Sequence, residues 1–492
     1  MRRPLLILVL LFLPIVLAAQ KKVRKPPPLL VLTNVNVVDV TSGSVEPRLN
    51  VFIRDGRIEA IAKRALIQAS RNVQVVNADG KYLIPGLWDM HVHTAIRSEA
   101  ESLLPLYLAY GVVGVRDMGG DFDRIRHMRE EIAAGRVLGP TIVSPGPFVD
   151  GPQPEPDSNF LPVADAAEAR AAVRDLEARG ADFIKVQAGL SPEAYRAMAD
   201  EAKRIGIAFA GHVPESVSAV EASDARQKSI EHLSPALPGD AAILLACSGR
   251  EEELRRDLLA LRAPDLKPEE ARARTRALQA DLVSSYSEAK CDRVVARLAH
   301  NRTVVVPTLI WSVSIRPASR ADTIGELPMQ YVPTKLRERW TTARRSFLES
   351  APDETFALNQ RMAEMAERLT GRLHRARVTL LAGTDNFDAF VIPGFSLHQE
   401  LELLVRSGLS PADALRAATV HAARFLGRHN DTGTVAAGKR ADLVVLDANP
   451  LEDIRNTRRI SGVVVAGNYL RRADLDKMLA DQEKAAAGAA GN

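Results

Sequence analysis

Ile84-Pro85-Gly86-Leu87-Trp88-Asp89-Met90-His91-Val92-His93 is the stretch on which the reading of this chain turns. Before it the sequence is short strands separated by tight turns. After it, short strands alternate with amphipathic helices, the pattern of parallel β/α units. The stretch ends in two histidines two positions apart. Side chains two apart on a strand point the same way, so both imidazoles leave it together. Two neutral imidazoles on one side make half a site for Zn²⁺ or a similar ion. A lone His-x-His pair is weak evidence, and solvent-facing or core histidines are the plain alternative.

Strands are expected at 87–93, 112–117, 141–144, 182–187, 208–213, 229–232, 303–307 and 378–385. Ser191-Pro192 and Ser410-Pro411 each set a capping serine before a proline at the first helical turn. Eight parallel strands with helices between them suggest a closed (β/α)8 TIM barrel over residues 85–427, longer than the ~250 residues typical of that fold. The excess falls in a helical insertion at about 234–300 and in 311–354, both following strands on the face where barrel loops build active sites. These segments read as lid or specificity elements, or as plain solvent-facing insertions.

In the other direction, strands are expected at 29–32, 35–40, 50–54, 57–62 and 73–77, with Asp55-Gly56 and Asp79-Gly80 as turn pairs. Strand character returns at 433–435, 441–446 and 462–469. Segments 29–84 and 428–472 are therefore expected to complete one small β-sandwich, leaving 473–492 as a helical or frayed tail. At the extreme N-terminus Arg2 and Arg3 precede an apolar run over 5–17 that ends in Ala18-Ala19-Gln20. That describes a secretory signal peptide over 1–19. The run is shorter than the ~20 residues of a spanning helix. The expectation is a periplasmic or secreted protein with no stable membrane span after cleavage; an uncleaved anchor is the alternative.

The composition is ordinary for a globular protein, with 46% hydrophobic and 26% charged residues. A net charge of +4 gives no reason to invoke nucleic acid. The two cysteines, Cys247 and Cys291, could pair across 44 residues in an oxidising compartment or stay as buried thiols.

His91 and His93 gain meaning from other predicted strand ends. His212 closes Ala208-Phe209-Ala210-Gly211-His212, His232 closes Ser229-Ile230-Glu231-His232, and Asp385 closes Leu380-Leu381-Ala382-Gly383-Thr384-Asp385. Active sites of this fold lie at that face. Other histidines, such as His127, His300, His374 and His429, are scattered. Lys185 interrupts the apolar strand Asp182-Phe183-Ile184-Lys185-Val186-Gln187. A buried lysine is costly unless neutralised or paired. It is either a structural ion-pair member or a neutral amine able to take up CO₂ as a carbamate that bridges two cations.

These segments resemble the amidohydrolase superfamily, in the binuclear metal-dependent branch that includes imidazolonepropionase-like and Xaa-Pro dipeptidase-like proteins. The resemblance runs from Ile84–His93 through Gly111-Val112-Val113-Gly114-Val115-Arg116-Asp117-Met118-Gly119 to Gly438-Lys439-Arg440-Ala441-Asp442-Leu443-Val444-Val445-Leu446. It implies a barrel with a β-sandwich from both chain ends. It also implies two divalent ions, zinc foremost: one held by His91, His93 and Asp385, the other by His212 and His232, with carboxylated Lys185 and a hydroxide bridging them. Asp385 would also be the catalytic base and acid. The implied activity is hydrolysis of a C–N bond in a small amide or peptide, such as a dipeptide or N-acyl amino acid. Lactamase, esterase or phosphotriesterase activity on the same site, or a non-catalytic metal-binding barrel, are the alternatives. His398 is a candidate substrate contact. Arg116 and Asp117 read as an internal ion pair. A homo-oligomer is left open.

Overall fold

The computed structural model describes residues 29–64, 72–152, 157–233, 240–263, 265–319 and 327–488. The signal-peptide reading of 1–19 lies outside these residues. β1 (Leu29–Asp39) is the pivot of the N-terminal segment. It pairs antiparallel with β2 (Ser44–Arg54), which turns through Asp55-Gly56 into β3 (Arg57–Ala62). On its other edge the first half of β1 runs parallel to β4 (Val73–Asn77) and the second half to β5 (Tyr82–Pro85). The change of partner coincides with register slips at Leu32/Val35 and Val35/Val37, an irregularity of the kind that bends a strand.

β6 (Leu87–Val92), β7 (Val112–Asp117) and β8 (Thr141–Val143) form a parallel sheet of three. β9 (Phe148–Asp150), β10 (Phe160–Pro162), β11 (Ile184–Val186), β12 (Phe209–Gly211), β13 (Ser229–Glu231) and β14 (Val304–Val306) form a second parallel sheet in the order β10-β9-β11-β12-β13-β14. Every residue of β6, β7, β11, β12, β13 and β14 is buried. Burial on both faces is what parallel strands covered by helices require.

Backbone bonds outside the ladders link the two sheets. Asp182 N donates to Ser144 O at 3.0 Å. Segment 378–385, expected as an eighth strand, is not a regular strand. It is nevertheless bonded to β14 (Leu381 N to Val305 O, 3.0 Å) and to β6 (Met90 N to Ala382 O, 2.9 Å; Thr384 N to His91 O, 3.2 Å). Its tight seat explains Gly383, where a Cβ would lie 2.7 Å from Val306 Cγ1 and 2.8 Å from His91 Cβ.

β15 (Leu443–Leu446) returns to lie antiparallel against β5, followed by β16 (Ile460–Val465) and β17 (Asn468–Arg471). The two chain ends share one eight-stranded sheet, β17-β16-β15-β5-β1-β2-β3, with β4 on β1. Its own core joins Leu32, Val51, Ile58 and Leu83 to Leu443, Val445 and Val464. Residues 433–435 are not a strand. The last helix, Arg472–Gly488, is docked rather than frayed: Leu475 and Ala486 are buried, and Gln482 Nε2 donates to Tyr331 O at 3.2 Å.

Among its described residues, the insertion after β13 holds four helices: Ala242–Ala246, Glu251–Ala260, Pro268–Ser284 and Glu288–Asn301. A Cys247–Cys291 disulfide joins the end of the first to the fourth. No helix among the described residues is long and apolar enough to cross a membrane.

Candidate metal centre

The site stands where the parallel strands end. His91 lies on β6 and His93 just past it; His212 follows β12; His232, just past β13, and Asp385, at the end of segment 378–385, have φ of +68° and +58°. Non-glycine residues seldom adopt that conformation, and such local strain concentrates where side-chain direction matters.

Proton bookkeeping on the imidazoles shows what the site wants. His93 Nδ1 lies 2.9 Å from the carbonyl of Gly119, which can only accept, so Nδ1 carries the proton. His91 Nδ1 meets the Glu231 carboxylate at 2.9 Å and is fixed in the same way. Thr308 Oγ1 gives its hydrogen to Pro307 O (2.9 Å) and so accepts from His232 Nδ1 at 2.7 Å. All three neutral rings therefore present a lone pair at Nε2. Those of His91 and His93 face the same Asp385 oxygen, each at 3.2 Å. That of His232 faces His212 Nε2 at 3.0 Å. In the first group the acceptors converge without a donor and repel each other, and a cation between them removes the repulsion. In the second, His212 Nε2 can carry the proton and donate to His232 Nε2, since no hydrogen-bond partner fixes a proton on His212 Nδ1. Burial opposes protonation of His93, but Asp385 outweighs it and raises the imidazole above its ordinary value.

Two groups of ligand-type atoms result, His91/His93/Asp385 and His212/His232/Asp240, each with its atoms within 4.8 Å of one another. The His91 and His232 rings are 4.7 Å apart, so the groups adjoin. Burial lowers the His232 imidazole to about 3 and holds His212 well below its ordinary value, both in the neutral form that ligates. Burial works against an ionised Asp385, yet His91 and His232 outweigh it and hold the carboxyl well below the usual range.

Lys185 is wholly buried on β11, and its Nζ has no hydrogen-bond partner. Burial, opposed by Glu231 and Asp385, lowers its amine to about 8. β12 makes room for it with Gly211, where a Cβ would sit 2.8 Å from Lys185 Cδ. The orphaned Nζ and the orphaned His91 Nε2 and His212 Nδ1 fit a site built around cations. Above it is a cavity of about 400 Å³ walled by Phe148, Phe160, Trp311 and Phe387.

Comparison with known proteins agrees with this geometry. Residues 323–470 match the model of the amidohydrolase family. The bottromycin amidohydrolase structure superposes over 93% of this chain and 90% of its own, with a TM-score of 0.71 and 25% identity. The chain is similar to proteins of the amidohydrolase family in this segment and in its fold. A Xaa-Pro dipeptidase (TM-score 0.61, 19% identity, 90% of this chain and 100% of that one) shares the TIM-barrel-like α/β fold, as does the Aspergillus niger ochratoxinase (0.61, 19%, 91% and 96%). In sequence, an adenine deaminase of Agrobacterium fabrum is 45% identical over 74 residues, 15% of this chain and 12% of its own. The ochratoxinase is 34% identical over 109 residues, 22% of each chain. The chain thus matches less than a quarter of the length of these curated relatives.

Two expectations need correction. His398 does not reach the cavity. It is fully buried on helix Phe395–Arg406, with Nδ1 at 2.9 Å from Thr457 Oγ1 and Nε2 at 2.9 Å from Tyr110 O, so both nitrogens are spent on packing. Arg116 does not pair with Asp117, because neighbours on a strand point to opposite faces. It pairs with Glu231 at 2.7 Å and donates through Nε to Met90 O. Asp117 instead accepts from Thr94 N, Thr94 Oγ1 and Gly119 N.

Glu231 and Asp240 were missed in the sequence. Glu231 carries a signal in hindsight: a carboxylate in an otherwise buried strand needs a partner of opposite charge. Asp240 sits in the loop after β13, where no periodicity marks it.

Proposed function

We propose that this chain is an exported, metal-dependent hydrolase that cleaves the C–N bond of a small amide or peptide. The observation that carries the reading is the meeting of two adjoining groups of ligand-type atoms, His91/His93/Asp385 and His212/His232/Asp240. We read the parallel strands as one closed (β/α)8 barrel over 85–427, supported by the bonds from Ser144 to Asp182 and from residues 379–384 to both β14 and β6. The terminal sheet, segments 29–84 and 428–472, is read as a sandwich folded about its own cluster.

His91, His93 and Asp385 would hold one divalent ion, and His212 and His232 the other, zinc suiting the donor set best. Lys185 would bridge them after its neutral amine adds to CO₂, giving a carbamate and releasing a proton. When bound, such a pair supplies Lewis acidity toward a carbonyl and makes a water more acidic. Asp385, at the floor of the cavity, takes the proton from the attacking water and delivers it to the departing nitrogen as the C–O bond forms and the C–N bond breaks. The aromatic walls exclude bulk water around it. Dipeptides and N-acyl amino acids are the proposed substrates, a choice supported by the dipeptidase-like neighbours.

Metal quantification after zinc and bicarbonate supplementation, followed by a screen of dipeptides, N-acyl amino acids and lactams, tests the reading. Two equivalents and turnover are expected. Less than one tightly bound equivalent overturns the two-ion site. Export is tested by N-terminal sequencing of the secreted or periplasmic protein, with cleavage near residue 19 expected.

A further inference from the structure

The loop that delivers Asp385 to the metal centre does not stop there. Phe387 and Asp388, two and three residues on, line the cavity above the histidines and also line a second cavity beside it, of about 450 Å³. Arg97 is the third residue common to both. The second cavity is of the size that holds small organic ligands. It is built by helix Thr334–Ser350, in the long connection between β14 and residue 378, and by the end of helix Leu309–Ile315.

Its chemistry is uneven in a telling way. The walls are aromatic: Trp340 lies 5.9 Å from Phe387 and 5.8 Å from Phe390, ring to ring, with Phe347 across from them. Among the described residues, the fold sets three arginines into this apolar space, Arg97, Arg339 and Arg344, against a single acid, Asp388. Asp388 is already engaged, accepting from Trp311 Nε1 at 2.9 Å and from Ala389 N at 2.7 Å. Arg344 is nearly buried, stacked 5.4 Å over Phe390 and bonded to Ser314 O at 2.7 Å, so it stiffens the wall. Arg97 and Arg339 are exposed at the rim and make no ion pair with any described residue. Guanidinium groups over aromatic walls favour a flat ligand that carries a carboxylate. A merely apolar cavity would not collect cations, and a merely basic surface would not enclose such a volume.

We infer that this second cavity is a binding compartment for an anionic aromatic group. Resting on the hydrolase reading, it makes the substrate an amide whose scissile bond lies at the histidines. Its carboxylated aryl portion passes Phe387 into the arginine-lined chamber.

The test is equilibrium binding of 2-naphthoate and of its neutral isostere 2-naphthamide to the metal-replete protein, with thermal melting as a check that each variant folds. Naphthoate should bind about tenfold tighter than naphthamide, the worth of one charge-assisted contact. Arg339→Ala should abolish that preference while leaving naphthamide within about twofold, and Phe347→Ala should weaken both. Loss of preference in Arg339→Ala separates binding here from carboxylate ligation at the metal. Equal affinity for the two probes, or a preference that survives in the Arg97→Ala/Arg339→Ala double variant, overturns the compartment. A parallel assay compares 4-carboxybenzoyl and benzoyl amides of one amino acid. Charge-selective probe binding with neither amide cleaved leaves the compartment standing and removes the hydrolase reading. Cleavage of both amides at equal rates, with no probe preference, does the reverse.

Discussion

Glu231→Gln should be among the most damaging conservative changes in this protein, although Glu231 touches no proposed metal ligand except through a hydrogen bond. Its Oε2 accepts from Arg116 Nη2 at 2.7 Å and from His91 Nδ1 at 2.9 Å, and all three side chains are 0–1% exposed. Burial would raise the Glu231 carboxyl, but Arg116 and His91 overcome this and hold it below the usual range. With the folded value depressed, its contribution is complete above the ordinary glutamate range and is lost only in strong acid. An assay at pH 7 therefore reads the whole effect. Two unit charges about 4 Å apart attract by about 4 kcal/mol at an effective dielectric of 20. Removing one partner of a buried pair costs about 3–5 kcal/mol, because the other charge is stranded. The neutral amide also frees His91 to change tautomer, which should weaken metal binding about 10–100-fold. Urea unfolding of the metal-stripped protein measures the first effect, and competition with a chelator the second. Arg116→Met combined with Glu231→Gln should recover part of the lost stability, since no bare guanidinium remains. A single variant within about 1 kcal/mol of wild type, or a double variant no better than the single, would refute the reasoning.

Three further outcomes follow from the geometry. Asp385→Asn should keep measurable bound metal through the histidines while turnover falls about 10²–10⁴-fold; metal analysis beside steady-state kinetics checks it, and near-normal turnover removes Asp385 as proton carrier. Glu400, buried and raised to about 8 despite accepting from Ile310 N at 2.8 Å, gives stability that is full below about 4.5 and lost as pH rises through about 8. Urea midpoints at pH 5 and 9 should therefore shift in favour of Glu400→Gln at the higher pH, and an unchanged difference contradicts the assignment. Replacing both Cys247 and Cys291 by alanine opens a 44-residue loop and should cost up to about 4 kcal/mol, read as a lower urea midpoint with turnover retained.

The parts of the site legible in the sequence were those where position on a strand alone fixes direction. His91 and His93 share a face because they are two apart, and Lys185 stands out because it interrupts an apolar strand. His398 looked equivalent on paper, placed beyond the last strand, but its helix turns it inward to Thr457 and Tyr110. Tertiary packing decided that, and nothing local encodes it. β9 and β10 were missed because strands of three residues carry no period to detect. Segment 378–385 was expected as a strand from its apolar run; Gly383 and the close approach to His91 give it bonds to both neighbours without regular geometry.

The sheet shared by the two chain ends also sets a timetable for the growing polypeptide. β5 finds its neighbour β15 only after roughly 360 further residues have been made; at about 5–20 residues per second that is a delay of about 20–70 s. Throughout that interval β5 presents an open hydrogen-bonding edge, an invitation to pair with another nascent chain. Translation speed and chaperone occupancy, rather than the final stability, should then govern how much of this protein reaches its native form.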